Sequence, residues 1–442
     1  NYGQPTVTDN CDNNVSISLI SEVTIGNVTT VTYEAEDDEG NTATCSFTIT
    51  VIGPPTNGLQ VKEFKKISID GGFVNGPPAI ESGDNFGKST AVISDLDGDG
   101  INEIVVGAPG TDDAQVNEGA IYVLFPNANG DIDGYQKIAE NVGGFSLTLE
   151  KQDQFGYSVA WIGTIGNHQN VIAVGAIDET TGGGANQPGR VYLMSLNANG
   201  TVNAIINTIG ETQIPSPDLK KEFKFGSAVT SLGDLNGDGN VDIAVGAEDY
   251  DESGTATRGG AVYVIFLDAN ADVINYEKTN GKSTEFQVFD RIRTDDDFGA
   301  SLAATDIDGD GIVDLLAGAP GDGDGNKISE DWGSLWVMFL YADGTLKGVQ
   351  QISAFHGNLG SQASFTEYDW FGSAVDVLDI IGDTTIIMVG ANADGGGGRP
   401  GKAHILYIDE NGLVLQRTEI NSTSLSGAVS YTHLTLPTIV RV

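Results

Sequence analysis

Three stretches of this chain place oxygen-bearing side chains at alternating positions. They are Asp95-Leu-Asp-Gly-Asp-Gly-Ile-Asn-Glu103, Asp234-Leu-Asn-Gly-Asp-Gly-Asn-Val-Asp242 and Asp306-Ile-Asp-Gly-Asp-Gly-Ile-Val-Asp314. The first offers Asp95, Asp97, Asp99 and Glu103, with the Ile101 carbonyl between the last two. The second offers Asp234, Asn236, Asp238 and Asp242, with the Asn240 carbonyl. The third offers Asp306, Asp308, Asp310 and Asp314, with the Ile312 carbonyl. Several oxygens around a loop that glycine lets turn sharply are what a hard divalent cation requires. The spacing matches the start of an EF-hand loop, yet the twelfth place holds Val106, Val245 or Ala317, so the acid at the ninth must close the site. An apolar strand follows at once, which places the stretch in a β-hairpin. Three Ca2+ sites are expected. Magnesium is less suited, because it keeps more of its water. One such stretch could be an Asp/Gly turn chosen for left-handed geometry; three in one frame are poorly explained that way. Gly163-Thr-Ile-Gly-Asn-His168 and Asp379-Ile-Ile-Gly-Asp383 occupy the same place in two further units without the carboxylate series, and no ion is expected there.

These loops sit in a repeating frame. Phe-Gly occurs at Phe86, Phe155, Phe225, Phe298 and Phe371, roughly every 70 residues. Each pair opens a short apolar strand, then a turn, then a strand ending in Gly-Ala, as in Ile104-Val-Val-Gly-Ala108 and Leu315-Leu-Ala-Gly-Ala319. A third apolar strand and a more polar fourth complete the unit. Four strands of this polarity form a propeller blade; a solenoid would have a shorter repeat. The phenylalanines are expected to plug the seams between blades. The fold class is therefore all-β: five complete four-stranded blades. The segment Gln60–Ile67 resembles the outer strands and would complete the last blade of a closed ring.

The chain has 442 residues, with 62 acidic against 21 basic and a net charge of −41. Nucleic acid and anionic membrane surfaces need a cationic face, so neither is expected as a partner. The acid excess suits cation binding or a calcium-rich medium, although part of it serves solubility alone. No run approaches the ~20 apolar residues of a membrane span, so no membrane insertion is expected. The only cysteines are Cys11 and Cys45, which allow one disulfide and, with it, an oxidising compartment. Residues 1–52 alternate with period two at Thr30–Ala35 and Thr44–Val51, the pattern of half-buried strands. Residues 53–58 make a linker and 59–424 the repeat block. In 425–442 the run Ser430–Pro437 matches no repeat position and looks foreign.

Phe-Gly, Asp-x-Asp-Gly-Asp-Gly and Gly-Ala-Pro in register resemble FG-GAP repeats, as in the seven-bladed propeller of integrin α chains. The resemblance covers about 59–424 and implies calcium in the hairpins between the first two strands of a blade. Five units against seven imply a truncated ring. Asp9-Asn-Cys11, Thr29–Tyr33, Asp38-Glu-Gly-Asn41 and Thr44–Phe47 resemble part of a hyalin repeat (HYR) module, implying a small immunoglobulin-like β-sandwich of extracellular, often adhesive proteins. Together they imply an extracellular calcium-binding protein acting in cell-surface adhesion, with a protein or glycan ligand. A carbohydrate-binding propeller is the second expectation, with Trp332, Trp336, Tyr250 or Trp370 stacking on sugars; a surface-protein spacer is a third. The four histidines make no HExxH pair, and no Gly-x-Ser-x-Gly elbow occurs. No enzyme activity is expected. The acids after Gly-Ala, among them Asp112, Asp249, Asp251 and Asp322, are expected as solvated loop tips.

Overall fold

A computed structural model describes the strands of residues 16–25, 28–36 and 42–50. It further describes 65–420, apart from 69, 114–115, 178–187, 221–222, 252–257, 282, 284, 287–291, 324–330, 360–367 and 393–400. The chain divides into two compact units, Asn1–Gly58 and Leu59–Val442.

In the first unit β1 (Ser16–Ile25), β2 (Val28–Glu36) and β3 (Thr42–Thr50) form one antiparallel sheet in the order β1-β2-β3. The alternating stretches pair in register, Val31 opposite Phe47 and Tyr33 opposite Cys45. Cys11, and hence the expected disulfide, lies outside the described residues, as does any second layer of a sandwich.

The second unit is a β-propeller of five four-stranded antiparallel blades, with no α-helix among the described residues. The first blade is β4 (Thr90–Val92), β5 (Ile104–Ala108), β6 (Ala120–Pro126) and β7 (Ile132–Ile138). The second is β8 (Ser158–Ile165), β9 (His168–Ala176), β10 (Arg190–Leu196) and β11 (Val202–Ile209). The third is β12 (Phe225–Gly233), β13 (Asp242–Ala247), β14 (Ala261–Leu267) and β15 (Val273–Asn280). The fourth is β16 (Ser301–Thr305), β17 (Asp314–Ala319), β18 (Ser334–Leu340) and β19 (Leu346–Ser353). The fifth is β20 (Phe371–Ile381), β21 (Thr384–Ala391), β22 (Lys402–Ile408) and β23 (Val414–Ile420). The first strands of successive blades touch: β4 meets β8, β8 meets β12, β12 meets β16 and β16 meets β20.

The repeated residues explain that contact. Phe155, Phe225, Phe298 and Phe371 are fully buried, each bridging the glycine before the third strand of the preceding blade. The glycine after each phenylalanine turns its carbonyl backwards. That oxygen accepts the preceding blade's serine hydroxyl: Ser89 Oγ to Gly156 O at 2.8 Å, Ser158 to Gly226 at 2.8 Å, Ser227 to Gly299 at 3.3 Å and Ser301 to Gly372 at 2.8 Å. The same carbonyl lies against the preceding Gly-Ala step. A Cβ on Gly107, Gly175, Gly246 or Gly318 would meet it at 1.9–2.1 Å, which is why that step requires glycine. At Gly390 in the fifth blade the nearest atoms belong to its own blade.

Of the segment Gln60–Ile67, only residues 65–67 are described. Ile67 and Phe73 pack on the first blade with the half-buried Phe86, and Phe73 bridges Ile132. Lys65 pairs with Asp131, so the described part of the segment lies on the first blade. Residues 60–64 lie outside the described residues.

Candidate metal centre

The three carboxylate stretches are the hairpins β4–β5, β12–β13 and β16–β17. Their backbone is shaped by left-handed glycines: Gly98 and Gly100 have φ of +83° and +91°, with Gly237/Gly239 and Gly309/Gly311 alike. The first aspartate of each loop gathers amides. Asp95 accepts from Gly98 N (2.7 Å) and Gly100 N (2.8 Å), Asp234 from Asp238 N and Gly239 N (both 2.9 Å), and Asp306 from Gly309 N (2.8 Å) and Gly311 N (3.0 Å). The fifth-place acid accepts from two residues on, at 2.8 Å in all three: Ile101 N to Asp99, Asn240 N to Asp238 and Ile312 N to Asp310.

The ninth-place acids are buried, with Glu103 and Asp314 1% exposed and Asp242 0%. They also staple the blade. Asp242 accepts from Leu235 N and from Leu267 N at the end of β14, both at 3.1 Å; Asp314 accepts from Ile307 N and from Leu340 N at the end of β18, both at 3.0 Å. Glu103 accepts from Leu96 N. Burial pushes the Glu103 carboxyl up to about 7 against that amide's lowering, with Asp97, Asp95 and Asp99 adding to the rise. Burial likewise raises Asp242 and Asp314 to about 6. A dication would remove that cost by favouring the charged forms.

The loops are not equivalent. Asp95, Asp97, Asp99 and Glu103 bring four carboxylate oxygens within 4.8 Å of one another. In the third loop only Asp306, Asp308 and Asp314 converge so. Lys347 Nζ holds Asp310, outside that group, at 2.7 Å and Asp308, within it, at 2.6 Å. In the second loop the three carboxylates do not draw together to that distance; the Asn236 amide donates to Asp238 at 3.1 Å. The donor set of the first loop suits a hard cation: oxygen only, anionic, and partly solvated.

Several residues escaped sequence reasoning. Asp84, Asp153, Asp296 and Asp369 stand two places before Phe-Gly and are all buried. The first three accept an amide three residues back, from Glu81, Glu150 and Arg293. The residue before the phenylalanine is left-handed in every blade: Asn85, Gln154, Lys224, Asp297 and Trp370. Four occurrences at one offset were the available signal; the third blade has Phe223 there. Two expected loop-tip acids are buried, Asp251 at 8% and Asp322 at 4%. Asp322 accepts from Ser334 Oγ (2.6 Å) and Gln351 Nε2 (2.9 Å). Of the aromatics expected to meet sugars, Trp336 (0%) and Tyr250 (4%) are core residues, enclosed between strands and blades; Trp332 and Trp370 are half-buried.

This blade pattern is that of the FG-GAP repeat, whose family profile matches residues 86–124, 225–265 and 298–329, and a HYR domain matches 1–51. The chain thus carries FG-GAP repeats behind an N-terminal HYR domain. Among curated proteins it is similar to integrin alpha-IIb of Homo sapiens, 30% identical over 54% of this chain and 20% of that one. It is also similar to integrin alpha-V of Gallus gallus, 28% identical over 55% and 21%. Phosphatidylinositol-glycan-specific phospholipase D of Rattus norvegicus is 28% identical over 40% and 20%. The match spans about a fifth of the length of these relatives. An apocarotenoid oxygenase mutant from Synechocystis aligns over 89% of this chain and 87% of that one, at 10% identity and TM-score 0.36, too slight a likeness to bear on activity.

Proposed function

We propose that this chain is the ligand-binding propeller of an extracellular, cell-surface adhesion protein, and that Ca2+ in its three carboxylate hairpins holds the blades rigid. The reading rests on the convergence of Asp95, Asp97, Asp99 and Glu103 within 4.8 Å. Four anionic side chains so close repel one another, and a dication among them reverses the sign of that interaction. Asp234, Asn236, Asp238 and Asp242 would hold a second ion, and Asp306, Asp308, Asp310 and Asp314 a third, with the Ile101, Asn240 and Ile312 carbonyls. The likeness to integrin alpha chains supports binding and not chemistry. The likeness to a phospholipase D covers a fifth of that enzyme; we assign this chain no catalytic role. An extracellular setting is consistent with a Cys11–Cys45 disulfide.

Calorimetry of chelator-treated protein against CaCl2 tests the first half. Three binding events are expected, with a higher melting temperature in calcium; no heat and an unchanged melting curve would remove the metal from the account. Adhesion to protein-coated surfaces, present in calcium and lost in chelator, tests the second half.

Glycan binding is a second reading, favoured by one surface. Trp332 and Phe355 lie 5.7 Å apart, centroid to centroid. Phe355 is 49% and Tyr368 38% exposed. Trp370 hydrogen-bonds Asp331 beside Trp332. Ring faces with a nearby carboxylate are a sugar-binding chemistry. Glycan-array signal abolished by Trp332→Ala would favour it over protein adhesion.

A further inference from the structure

The third loop carries four aspartates, Asp306, Asp308, Asp310 and Asp314, yet it is not the best prepared for an ion. Lys347 is the reason. It stands at the second position of β19, the outermost strand of the fourth blade. Its ammonium lies 2.6 Å from Asp308 Oδ2 and 2.7 Å from Asp310 Oδ2. It therefore joins the third and fifth places of the loop, two of the four side chains a metal would need. Asp310 is left out of the converging group that Asp306, Asp308 and Asp314 form.

The matching position in the other blades follows from register. Leu340 pairs Leu346 as Pro126 pairs Ile132 and Leu267 pairs Val273. The next residue is Lys347 in the fourth blade, Asp133 in the first and Ile274 in the third. At this one register position the three blades carry a cation, an anion and an apolar side chain; Lys347 touches its loop, whereas Asp133 accepts from Asn127 Nδ2 at 2.8 Å. The cation stands beside a loop with a full set of acids.

We propose that Lys347 is a built-in counter-ion of the third loop, which a calcium ion must displace, and that it sets this loop's affinity below that of the first. The inference rests on the calcium reading above. A metal entering the third loop must break two short ion pairs and must approach a unit positive charge unless the side chain swings out. At a few ångströms and a surface dielectric, either effect reaches about tenfold in affinity or more. In exchange, Lys347 offsets part of the loop's negative charge when calcium is scarce. Among the described residues, no lysine or arginine is paired with the first loop's carboxylates.

The test is calcium calorimetry on the whole chain, on Lys347→Met and on Lys347→Arg. Each is made in wild type and in a background where Asp97→Asn and Asp238→Asn weaken the other two loops. Lys347→Met is expected to tighten the third site about tenfold or more and to lower the melting temperature in chelator. Lys347→Arg should restore both wild-type values in direction. An unchanged or weaker third site in Lys347→Met, with heat still seen at the first two loops, would overturn the inference while leaving the calcium reading intact. Heat at no loop in any variant would overturn both. If Lys347→Met folds poorly, Lys347→Gln gives the same comparison with a polar side chain.

Discussion

Blades two and five close their first hairpin differently from blades one, three and four. In the second blade the ladder runs out to Ile165 opposite His168, leaving a two-residue turn. In the fifth it runs to Ile381 opposite Thr384. In the other three, pairing stops early, at Val92 opposite Ile104, Gly233 opposite Asp242 and Thr305 opposite Asp314. Backbone pairing is then replaced by carboxylates that bond the loop's own amides. A hairpin can be finished by its main chain or by acidic side chains. The second route leaves a negative charge that a cation can discharge.

The largest effect should separate the two classes directly. Chelation of calcium-loaded protein is expected to lower amide-exchange protection near Ile93, Leu235 and Ile307. Protection around Ile165–His168 and Ile381–Thr384 should not change. A site at a hundred times its dissociation constant contributes about 2.7 kcal/mol, so the contrast should be visible by mass spectrometry. Equal loss in all five hairpins would erase the distinction.

A smaller effect comes from glycine. A Cβ on Gly166 would meet the Ala269 carbonyl at 2.0 Å, whereas nothing lies within 4 Å of one on Gly98. Gly166→Ala should destabilise through collision and strain, by about 2–3 kcal/mol, with or without calcium. Gly98→Ala should cost about 1 kcal/mol, the strain of a left-handed alanine alone. Chemical denaturation in calcium and in chelator measures both; a larger cost at Gly98 would contradict the open space around it.

A pH-dependent effect lies at the far end of the blades. Burial pushes the Asp297 carboxyl up to about 8, Glu248 and Asp249 adding to the rise and Lys224 opposing it. Lys224 Nζ lies 3.0 Å from Glu248 and 3.3 Å from Asp249. Folded protein then holds a proton that the unfolded chain releases above its ordinary carboxylate range. This group's stabilisation is present at low pH and fades as pH rises toward about 8. Asp297→Asn should flatten that slope in unfolding measurements, equally with and without calcium. A calcium-dependent slope would mean the two ends are coupled.

Much of the propeller was legible because its signals are local and repeated. Phe-Gly, the carboxylate run and Gly-Ala fix strand order, blade count and the place of each loop. What escaped depends on register between distant strands. Lys347 lies more than 30 residues from the loop it touches, and only the pairing of β18 with β19 brings it there. Trp336 looked available for stacking, but strand alternation turns it into the space between blades. The buried aspartates before Phe-Gly were visible as a repeat, yet their burial follows from a left-handed turn that composition does not announce. Asp242 and Asp314 read as ligands; that they also pin the third strand requires knowing where Leu267 and Leu340 end.

The serine hydroxyl that each blade extends to its successor gives the array a direction. Each of the four junctions has a giving side and a receiving side, and the chemistry at one is the chemistry at the next. Excising one whole period therefore brings together a donor and an acceptor of the same kind as before. Excising half a period leaves them unmatched. A protein built on such a junction can gain or lose members by whole units, and its length is free to vary where its joints are not.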